Sequence, residues 1–154
     1  MAIHAARPIR PPEKPSSHPS MWRWAVLLPV LIVSADASHR DRLASISSRF
    51  GLRTISSATV ATAKYFIEHQ QFTAVVYEPA GKEDLRASIK QLEGPAKDTP
   101  VILIEKLDRW ESYLAGMTAG AFDCADYPPY PGELERMLCA ALSQSSRKKT
   151  AQAL

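Results

Sequence analysis

Short apolar runs alternate along this chain with longer stretches whose apolar residues recur at helical spacing. The runs predict five strands, at 30–33, 52–56, 72–77, 101–104 and 121–125. An uninterrupted apolar run is typical of a parallel strand that is buried on both faces. The stretches between them predict helices at 38–50, 60–70, 82–92, 108–119 and 131–144. We expect Ser38 and Asp108 to cap the first and fourth helices, and Gly51 to end the first.

The alternation itself predicts the fold class. Five strand–helix units in about 120 residues indicate one α/β domain with a doubly wound parallel sheet. We place this domain at 22–144, between a proline-rich leader at 1–21, expected to be disordered, and a basic flexible tail at 145–154. The leader contains Pro8, Pro11, Pro12, Pro15 and Pro19. Such composition favours disordered or polyproline-like chain.

The net positive charge of the chain comes from its two tails. The chain has a net charge of +3. The leader contributes +2 and the last ten residues contribute +3, which leaves 3 − 2 − 3 = −2 for the domain. Solvated tails explain this balance better than a nucleic-acid-binding fold does, so we expect nucleic acid to be an unlikely partner.

Nothing in the sequence predicts a membrane segment. The apolar stretch at 22–33 is interrupted by Arg23 and Pro29, and it is shorter than the roughly 20 residues that a spanning helix needs. No small-residue cleavage site follows it, which argues against a signal peptide. Cys124 and Cys139 lie in apolar segments, and two buried thiols are typical of a reducing cytoplasm. We therefore expect a cytoplasmic protein.

Glu78 is the first candidate for a functional residue. It ends the third apolar run and is followed directly by Pro79. A carboxylate at the C-terminal end of a buried strand occupies the usual site position of an open α/β sheet. Its role therefore depends on the other residues that the sequence places at that edge.

Three segments resemble the receiver domain of bacterial two-component response regulators. These are Pro29-Val-Leu-Ile-Val-Ser-Ala-Asp36, Thr99-Pro-Val-Ile-Leu-Ile-Glu105, and Ala115-Gly-Met-Thr-Ala-Gly-Ala121 with the Tyr127-Pro128 and Gly132-Glu-Leu134 motifs after it. The resemblance covers residues 29–144. It implies a flavodoxin-like (βα)5 fold with strand order 2-1-3-4-5, and a site at the carboxyl ends of the strands.

The resemblance also implies what such a site contains. In the family an aspartate accepts the phosphoryl group and an acidic pair after the first strand holds Mg²⁺. A hydroxyl residue and a lysine contact the phosphoryl oxygens, and an aromatic on the fifth strand reports the change. The metal and the lysine offset the charge of the carboxylates and of the phosphate.

This chain departs from the family at each of these positions. The acidic pair falls on Ser34 and Ala35, with Asp36 one residue later. The phosphoacceptor position falls on Glu78, and the hydroxyl position falls on Glu105. The lysine position falls on Tyr127, and the position of the switch aromatic on the fifth strand falls on Cys124. Ser34 and Ala35 supply no carboxylate ligand for Mg²⁺. We therefore expect a degenerate phosphoacceptor pocket that does not accept phosphate, with no catalytic residue and no cofactor.

Three interpretations of Glu78 remain open from the sequence. It imitates a phosphorylated or metal-bound aspartate, or it is a tolerated carboxylate at a wet pocket rim. In the third, weaker interpretation, Asp36, Glu78 and Glu105 converge on a divalent cation, or one of them stays protonated by mutual repulsion.

The family's cis proline suggests a role for Tyr127. The resemblance implies a cis bond between Tyr127 and Pro128. We expect the Tyr127 ring to lie over the former site, to seal the pocket and to donate a hydrogen bond to Glu78 or Glu105.

The aromatic residues late in the chain indicate a surface for a protein partner. Trp110, Tyr113, Tyr127 and Tyr130, together with Cys124, fall around the fourth helix, fifth strand and last helix. In the family this face binds effectors or a second copy, and aromatics are enriched at interfaces. Three functions remain: a phosphorylation-independent receiver-like adaptor, a phosphorylated single-domain regulator with an atypical site, and a nucleic-acid binder that uses its basic tails.

Overall fold

The computed structural model describes residues 28–81, 83–106 and 110–152, with side chains as far as Gln144. The proline-rich leader, expected at 1–21, and the expected cap Asp108 lie outside the described residues.

Five parallel strands form one sheet in the order β2-β1-β3-β4-β5. The strands are β1 Val30–Val33, β2 Thr54–Ser57, β3 Ala74–Tyr77, β4 Val101–Ile104 and β5 Asp123–Ala125. In the register, Val30 of β1 lies opposite Thr54 of β2 and Ala74 of β3. The predicted flavodoxin-like order is confirmed.

Five helices connect the strands and follow the last one. They are α1 Ala37–Arg49, α2 Val60–His69, α3 Leu85–Leu92, α4 Trp110–Thr118 and α5 Glu133–Gln152. Among the described residues, no helix is long and apolar enough to cross a bilayer.

Alternate residues of the strands supply two separate cores, one on each face of the sheet. Val30 and Ile32 of β1 face a core with Leu43 of α1 and Leu138 of α5. Leu31 and Val33 face the other core, which contains Ile67 of α2 and Ile89 of α3. All four residues of β1 are buried, as they are in β3 and β4. This two-sided burial explains why these strands have continuous apolar sequences.

Several element ends differ from the sequence prediction. The cap of α1 is Asp36 rather than Ser38, because the Asp36 carboxylate accepts hydrogen bonds from the first free amides of the helix. Helix α3 begins at Leu85 rather than at position 82, and Asp84 caps it. Strand β2 begins at Thr54, because the buried Leu52 packs in the core without joining the ladder.

The end of the last helix was also predicted wrongly. We expected α5 to stop at Gln144 and a flexible tail to follow, but the helix continues to Gln152. The added segment lacks apolar periodicity, which was the signal used to end the helix. Arg, Lys, Ala and Gln are nevertheless good helix formers, which is consistent with a helical backbone as far as Gln152.

Candidate functional site

The carboxyl ends of the central strands enclose a shallow pocket of about 350 Å³. Ser34 follows β1, Glu78 follows β3 and Glu105 follows β4. Because the strands are parallel, these three residues reach the same edge of the sheet. The pocket is lined by Ala35, Asp36, His39, Glu78, Pro79, Ala80, Glu105 and Lys106.

Glu78 is held on both of its carboxylate oxygens. The Ser34 hydroxyl donates a hydrogen bond of 2.6 Å to Oε1. His39 Nδ1 lies 2.8 Å from Oε1 and 2.8 Å from Oε2. The carboxylate is thus a fixed acceptor at the position where the family carries its phosphorylated aspartate.

His39 is the central residue that sequence reasoning missed. Its ring stacks on the Tyr127 ring with centroids 3.8 Å apart and planes inclined by 21°. Its Nε2 lies 3.6 Å from Asp36 Oδ2. His39 therefore joins the start of α1 to the end of β3 and to the loop after β5. The sequence signal that could have identified His39 was its position three residues after the acidic cap Asp36. This position lies on the side of α1 that faces the strand ends.

Asp36 is occupied by its own helix. Its Oδ1 accepts hydrogen bonds from the Ser38 amide at 2.9 Å, the Ser38 hydroxyl at 2.8 Å and the His39 amide at 3.1 Å. These bonds, led by that of the Ser38 hydroxyl, hold the pKa of Asp36 below its usual 3.8. The aspartate acts here as a helix cap.

The three carboxylates do not assemble a metal site. In the described ranges, no group of three His, Cys, Asp or Glu residues is placed to hold an ion. These residues are therefore not placed as the weak expectation of a cation bound by Asp36, Glu78 and Glu105 requires. The physical reason is that Asp36 caps α1 and Glu78 is bonded to Ser34 and His39.

Glu105 is the least compensated group at the edge. Its carboxylate has no hydrogen-bond or ion-pair partner among the described residues. Burial raises its pKa above the usual 4.5. Lys106 follows it along the chain and is exposed, lining the pocket without pairing with Glu105. The family's hydroxyl position is thus filled by a partly desolvated carboxylic acid.

The cis bond expected between Tyr127 and Pro128 is present. The Tyr127 ring is partly buried against the α1–α5 core and lies beside the site through its stack on His39. Its hydroxyl donates to neither Glu78 nor Glu105, and the pocket stays open. The expected seal is therefore wrong, because His39 lies between the Tyr127 ring and the Glu78 carboxylate.

A main-chain contact anchors the first loop of the site. Arg40 Nη1 donates a hydrogen bond of 2.7 Å to the Ser34 carbonyl. Arg40 and His39 are adjacent in α1, so one helical turn contacts both the backbone after β1 and the Glu78 side chain after β3. The backbone contact lies in the loop that would hold the metal in the family.

The proposed partner surface is only partly exposed. Trp110 and Tyr130 are 66% and 73% exposed. Tyr113 stacks on Trp110 at 5.2 Å and packs against the core below it. Cys124 is buried, so its assignment to the surface is wrong, and burial raises the pKa of its thiol to about 12. Cys139, also expected to be buried, is exposed.

Gly116 explains how Cys124 is covered. A Cβ at position 116 would lie 2.6 Å from the Cys124 sulfur and 2.8 Å from Leu103 Cδ2. Only glycine lets α4 approach the sheet this closely. The small residue at position 124 is therefore matched by a small residue on the helix above it.

Comparison with known proteins supports the fold at low sequence identity. No protein-family model matches the chain, and no curated protein matches it. The chain is similar in structure to the receiver domain of a Francisella response regulator, with 22% identity, a TM-score of 0.63, and 77% of this chain and 98% of that one covered.

Two further structures extend the comparison. The chain is similar to the receiver domain of a Pseudomonas aeruginosa sensor histidine kinase, solved with magnesium in its active-site cleft (17% identity, TM-score 0.65, covering 75% of this chain and 98% of that one). It is also similar to a Burkholderia pseudomallei protein described as related to pilus assembly (21% identity, TM-score 0.66, covering 78% and 92%). The described part of the chain therefore has the fold of a response-regulator receiver domain.

Proposed function

We propose that this protein is a phosphorylation-independent, receiver-like signalling adaptor that acts in the cytoplasm through contacts with a protein partner. One observation carries the proposal: Glu78, at the acceptor position, is already bonded to Ser34 and His39. In this proposal the protein is not an enzyme. The carboxyl edge of the sheet serves as a contact surface, and no reaction takes place there.

Metal-assisted phosphoryl transfer lacks its ligands in this pocket. Mg²⁺ in such sites is held by carboxylates and usually keeps several waters. Ser34 and Ala35 offer no carboxylate, and Asp36 is committed to capping α1. Without the ion, most of the electrostatic stabilisation of the transferring group is missing.

The charge of the pocket opposes phosphate as well. Asp36, Glu78 and Glu105 line it, with Lys106 as an exposed cation. An incoming phosphoryl group adds further negative charge next to a carboxylate whose pKa burial has already raised. At the lysine position stands Tyr127, whose ring is engaged by His39.

Exposed aromatic side chains favour a role in protein contact. Trp110 and Tyr130 remain largely exposed on the β4–α4 and β5–α5 side of the domain. Aromatics are enriched in the buried parts of protein interfaces. One structural neighbour is described as related to pilus assembly, so this fold is not limited to response regulators. The partner we propose is a signalling or regulatory protein, or a second copy bound through this face.

Intact-mass spectrometry tests the absence of phosphorylation. The full chain is incubated with acetyl phosphate and Mg²⁺, beside a conventional receiver that serves as the positive control. We expect no added phosphate on this chain under conditions that modify the control. A Mg²⁺-dependent mass gain that Glu78→Ala abolishes would establish the atypical phosphorylated regulator instead.

A gain-of-function variant sharpens the same test. Tyr127→Lys restores the family's lysine but leaves Ser34 and Ala35 at the metal positions. We expect this variant to remain unphosphorylated, because the missing metal is not replaced by one cation. Phosphorylation of Tyr127→Lys alone would show that the lysine position, rather than the metal loop, is what disables the pocket.

A binding experiment tests the adaptor role. The full chain is used as bait, with Trp110→Ala as the surface variant and Tyr65→Ala as the control. Tyr65 is 59% exposed on α2, away from the proposed surface. We expect a specific partner to be lost with Trp110→Ala and retained with Tyr65→Ala. Equal capture by both variants would place the contact elsewhere.

A further inference from the structure

Two exposed aromatic residues follow neighbouring strands of the sheet. Trp110 begins α4, the helix after β4, and Tyr130 lies between β5 and α5. Strands β4 and β5 pair with each other, so these residues follow adjacent strand ends. Tyr113 stacks on Trp110, and Leu114 is 44% exposed one turn along α4. We call Trp110, Tyr113, Leu114 and Tyr130 the aromatic face.

We propose that the aromatic face binds the proline-rich leader of the same chain, residues 7–19. This segment contains two P-x-x-P arrangements, Pro8-Ile-Arg-Pro11 and Pro12-Glu-Lys-Pro15. Proline-rich chain is preorganised in the polyproline II conformation and docks in the aromatic-lined surfaces of its binding domains. The stacked rings of Trp110 and Tyr113 offer an aromatic platform of this kind.

Charge complementarity favours this occupant. Residues 7–19 carry Arg7, Arg10 and Lys14 against Glu13, a net charge of 3 − 1 = +2. On the face, Glu111 is exposed directly beside Trp110. Glu133 places its Oε2 3.2 Å from the Tyr130 amide. Glu111 and Glu133 are therefore the groups with which a basic segment would pair at this face. Such pairing sets register and discriminates between partners more than it adds affinity.

The length of the leader is sufficient for docking within one molecule. Pro15 precedes Leu28, the first described residue, by 28 − 15 = 13 positions. Extended chain of that length spans up to about 43 Å. A folded domain of this size has a radius of gyration of about 14 Å, so the leader reaches the far side of the sheet. Short linkers give effective concentrations of order millimolar, which suits a weak polyproline contact.

The docking does not rest on the proposed adaptor function. It requires no phosphate chemistry and no partner, and its test contains neither.

Fluorescence quenching provides the first test in the full chain. Trp22→Phe with Trp24→Phe leaves Trp110 as the sole tryptophan of the three. Into this background we introduce Pro8→Ala, Pro11→Ala, Pro12→Ala and Pro15→Ala together. We expect acrylamide quenching of Trp110 to rise about twofold, because a docked proline covers one face of the indole. Tyr65→Ala in place of the proline changes serves as the control and should leave the quenching unchanged. Equal quenching with and without the prolines would overturn the proposal.

Paramagnetic broadening gives the location. A spin label is attached at Ser16→Cys in a Cys139→Ser chain, since Cys139 is exposed and would also react. We expect broadening of the backbone amides of α4, little effect on those of α2, and loss of the effect in Trp110→Ala. Broadening confined to α2, or broadening that appears only between labelled and unlabelled copies in a mixed sample, would overturn docking within one molecule.

Discussion

A single histidine changes what the acceptor position does. Glu78 retains a carboxylate at the end of β3, and His39 and Ser34 supply its hydrogen-bond donors from inside the chain. In a receiver that accepts phosphate, a metal ion and a lysine provide the opposing charge at this place. Here an imidazole lies between the carboxylate and the Tyr127 ring. Glu78 therefore has its hydrogen-bond partners within the chain.

The His39 contacts predict a measurable loss of stability. His39→Ala removes the hydrogen bond to Glu78 and the stack on Tyr127, and we expect it to lower the free energy of unfolding by about 1–2 kcal/mol. Urea denaturation at pH 7 measures the change. His69→Ala is the matched control, because His69 is exposed and contacts only its own helix. Equal effects of the two variants would contradict the role assigned to His39.

Substitution of Glu105 is predicted to stabilise the protein, in contrast to that of His39, and to do so in a pH-dependent way. Because burial raises its folded-state pKa above 4.5, the folded state holds its proton more tightly than the unfolded state. Its contribution to stability is therefore complete below about pH 4.5 and is lost as the pH rises through the folded pKa. We expect Glu105→Gln to raise the melting temperature at pH 7 and to change it little at pH 4. Glu111→Gln, at an exposed position, is the control, and a pH-independent gain for Glu105→Gln would contradict this assignment.

At the scale of elements, short contacts decide where helices start and how closely they pack. Asp36 starts α1 by accepting the Ser38 and His39 amides, and this places His39 in the first turn, where it reaches Glu78. Gly116 lets α4 lie directly on β4 and β5. The Asp36 cap therefore positions α1 beside the pocket, and Gly116 positions α4, which carries part of the aromatic face.

The cap of α1 is testable by a pair of substitutions. Asp36→Ala removes the acceptor for the first free amides, and we expect a lower urea midpoint and a weaker link between α1 and Glu78. Asp36→Asn retains the capping oxygen and should recover most of the loss. Since the Asp36 pKa is lowered, the benefit of its charge is present above pH 3.8 and fades as the pH falls through the folded pKa. A loss that is the same for both variants would mean that charge, rather than capping, is decisive.

Close packing of α4 gives a further prediction. We expect Gly116→Ala to destabilise the protein by about 1–3 kcal/mol, because the added methyl group meets Cys124 and Leu103 below their normal contact distances. Thermal unfolding measures the change. Adding Cys124→Ala should return part of the stability by making room for the methyl group. A Gly116→Ala chain as stable as the parent would show that α4 is not held against the sheet as described.

The elements best predicted from the sequence are those in which every residue is buried and apolar. Strands β1 and β4 were predicted with their observed ends, because every one of their residues is buried and apolar. The sequence did not predict the start of α1, which is set by the Asp36 cap. It also did not predict the end of α5, where the helical backbone continues past the apolar pattern. The pattern of apolar residues indicates which positions are buried. It does not indicate which side-chain oxygen accepts a hydrogen bond from a backbone amide.

The candidate site shows the same limit. The resemblance placed Glu78, Glu105 and Ser34 at one edge, and they line or adjoin one pocket. His39 lies 39 positions from Glu78 in the sequence, and no periodicity connects the two residues. A long-range polar pair of this kind becomes visible only when the fold brings both partners together. The metal expectation at Asp36 was wrong for the related reason that its local bonds were not anticipated.

At the scale of the whole molecule, the net positive charge lies outside the domain. The ends of the chain are basic, whereas the domain between them has a net charge of −2 by the count above. This separation keeps open a nonspecific electrostatic contact with nucleic acid, the third function considered from the sequence. It also places the basic leader and an acidic domain in one molecule, as leader docking requires.

Salt dependence tests the nucleic-acid alternative. The six basic residues of the leader and tail would give a slope of about −5 in a plot of log affinity against log salt for duplex DNA. We expect no measurable binding at physiological salt and, at low salt, at most a weak contact with that slope. Reversing the charge at Lys148 and Lys149 should reduce the slope. Tight, salt-insensitive binding would instead favour a nucleic-acid function and contradict the adaptor proposal.

The buried Cys124 has a consequence for how such a protein conveys information. In the family an aromatic at this position reports the change. The Cys124 side chain, 3% exposed beneath Gly116, has no ring, so this part of the domain is expected to lack that readout. Under the proposed adaptor function, control would then rest on the amount of the protein, through its synthesis and degradation.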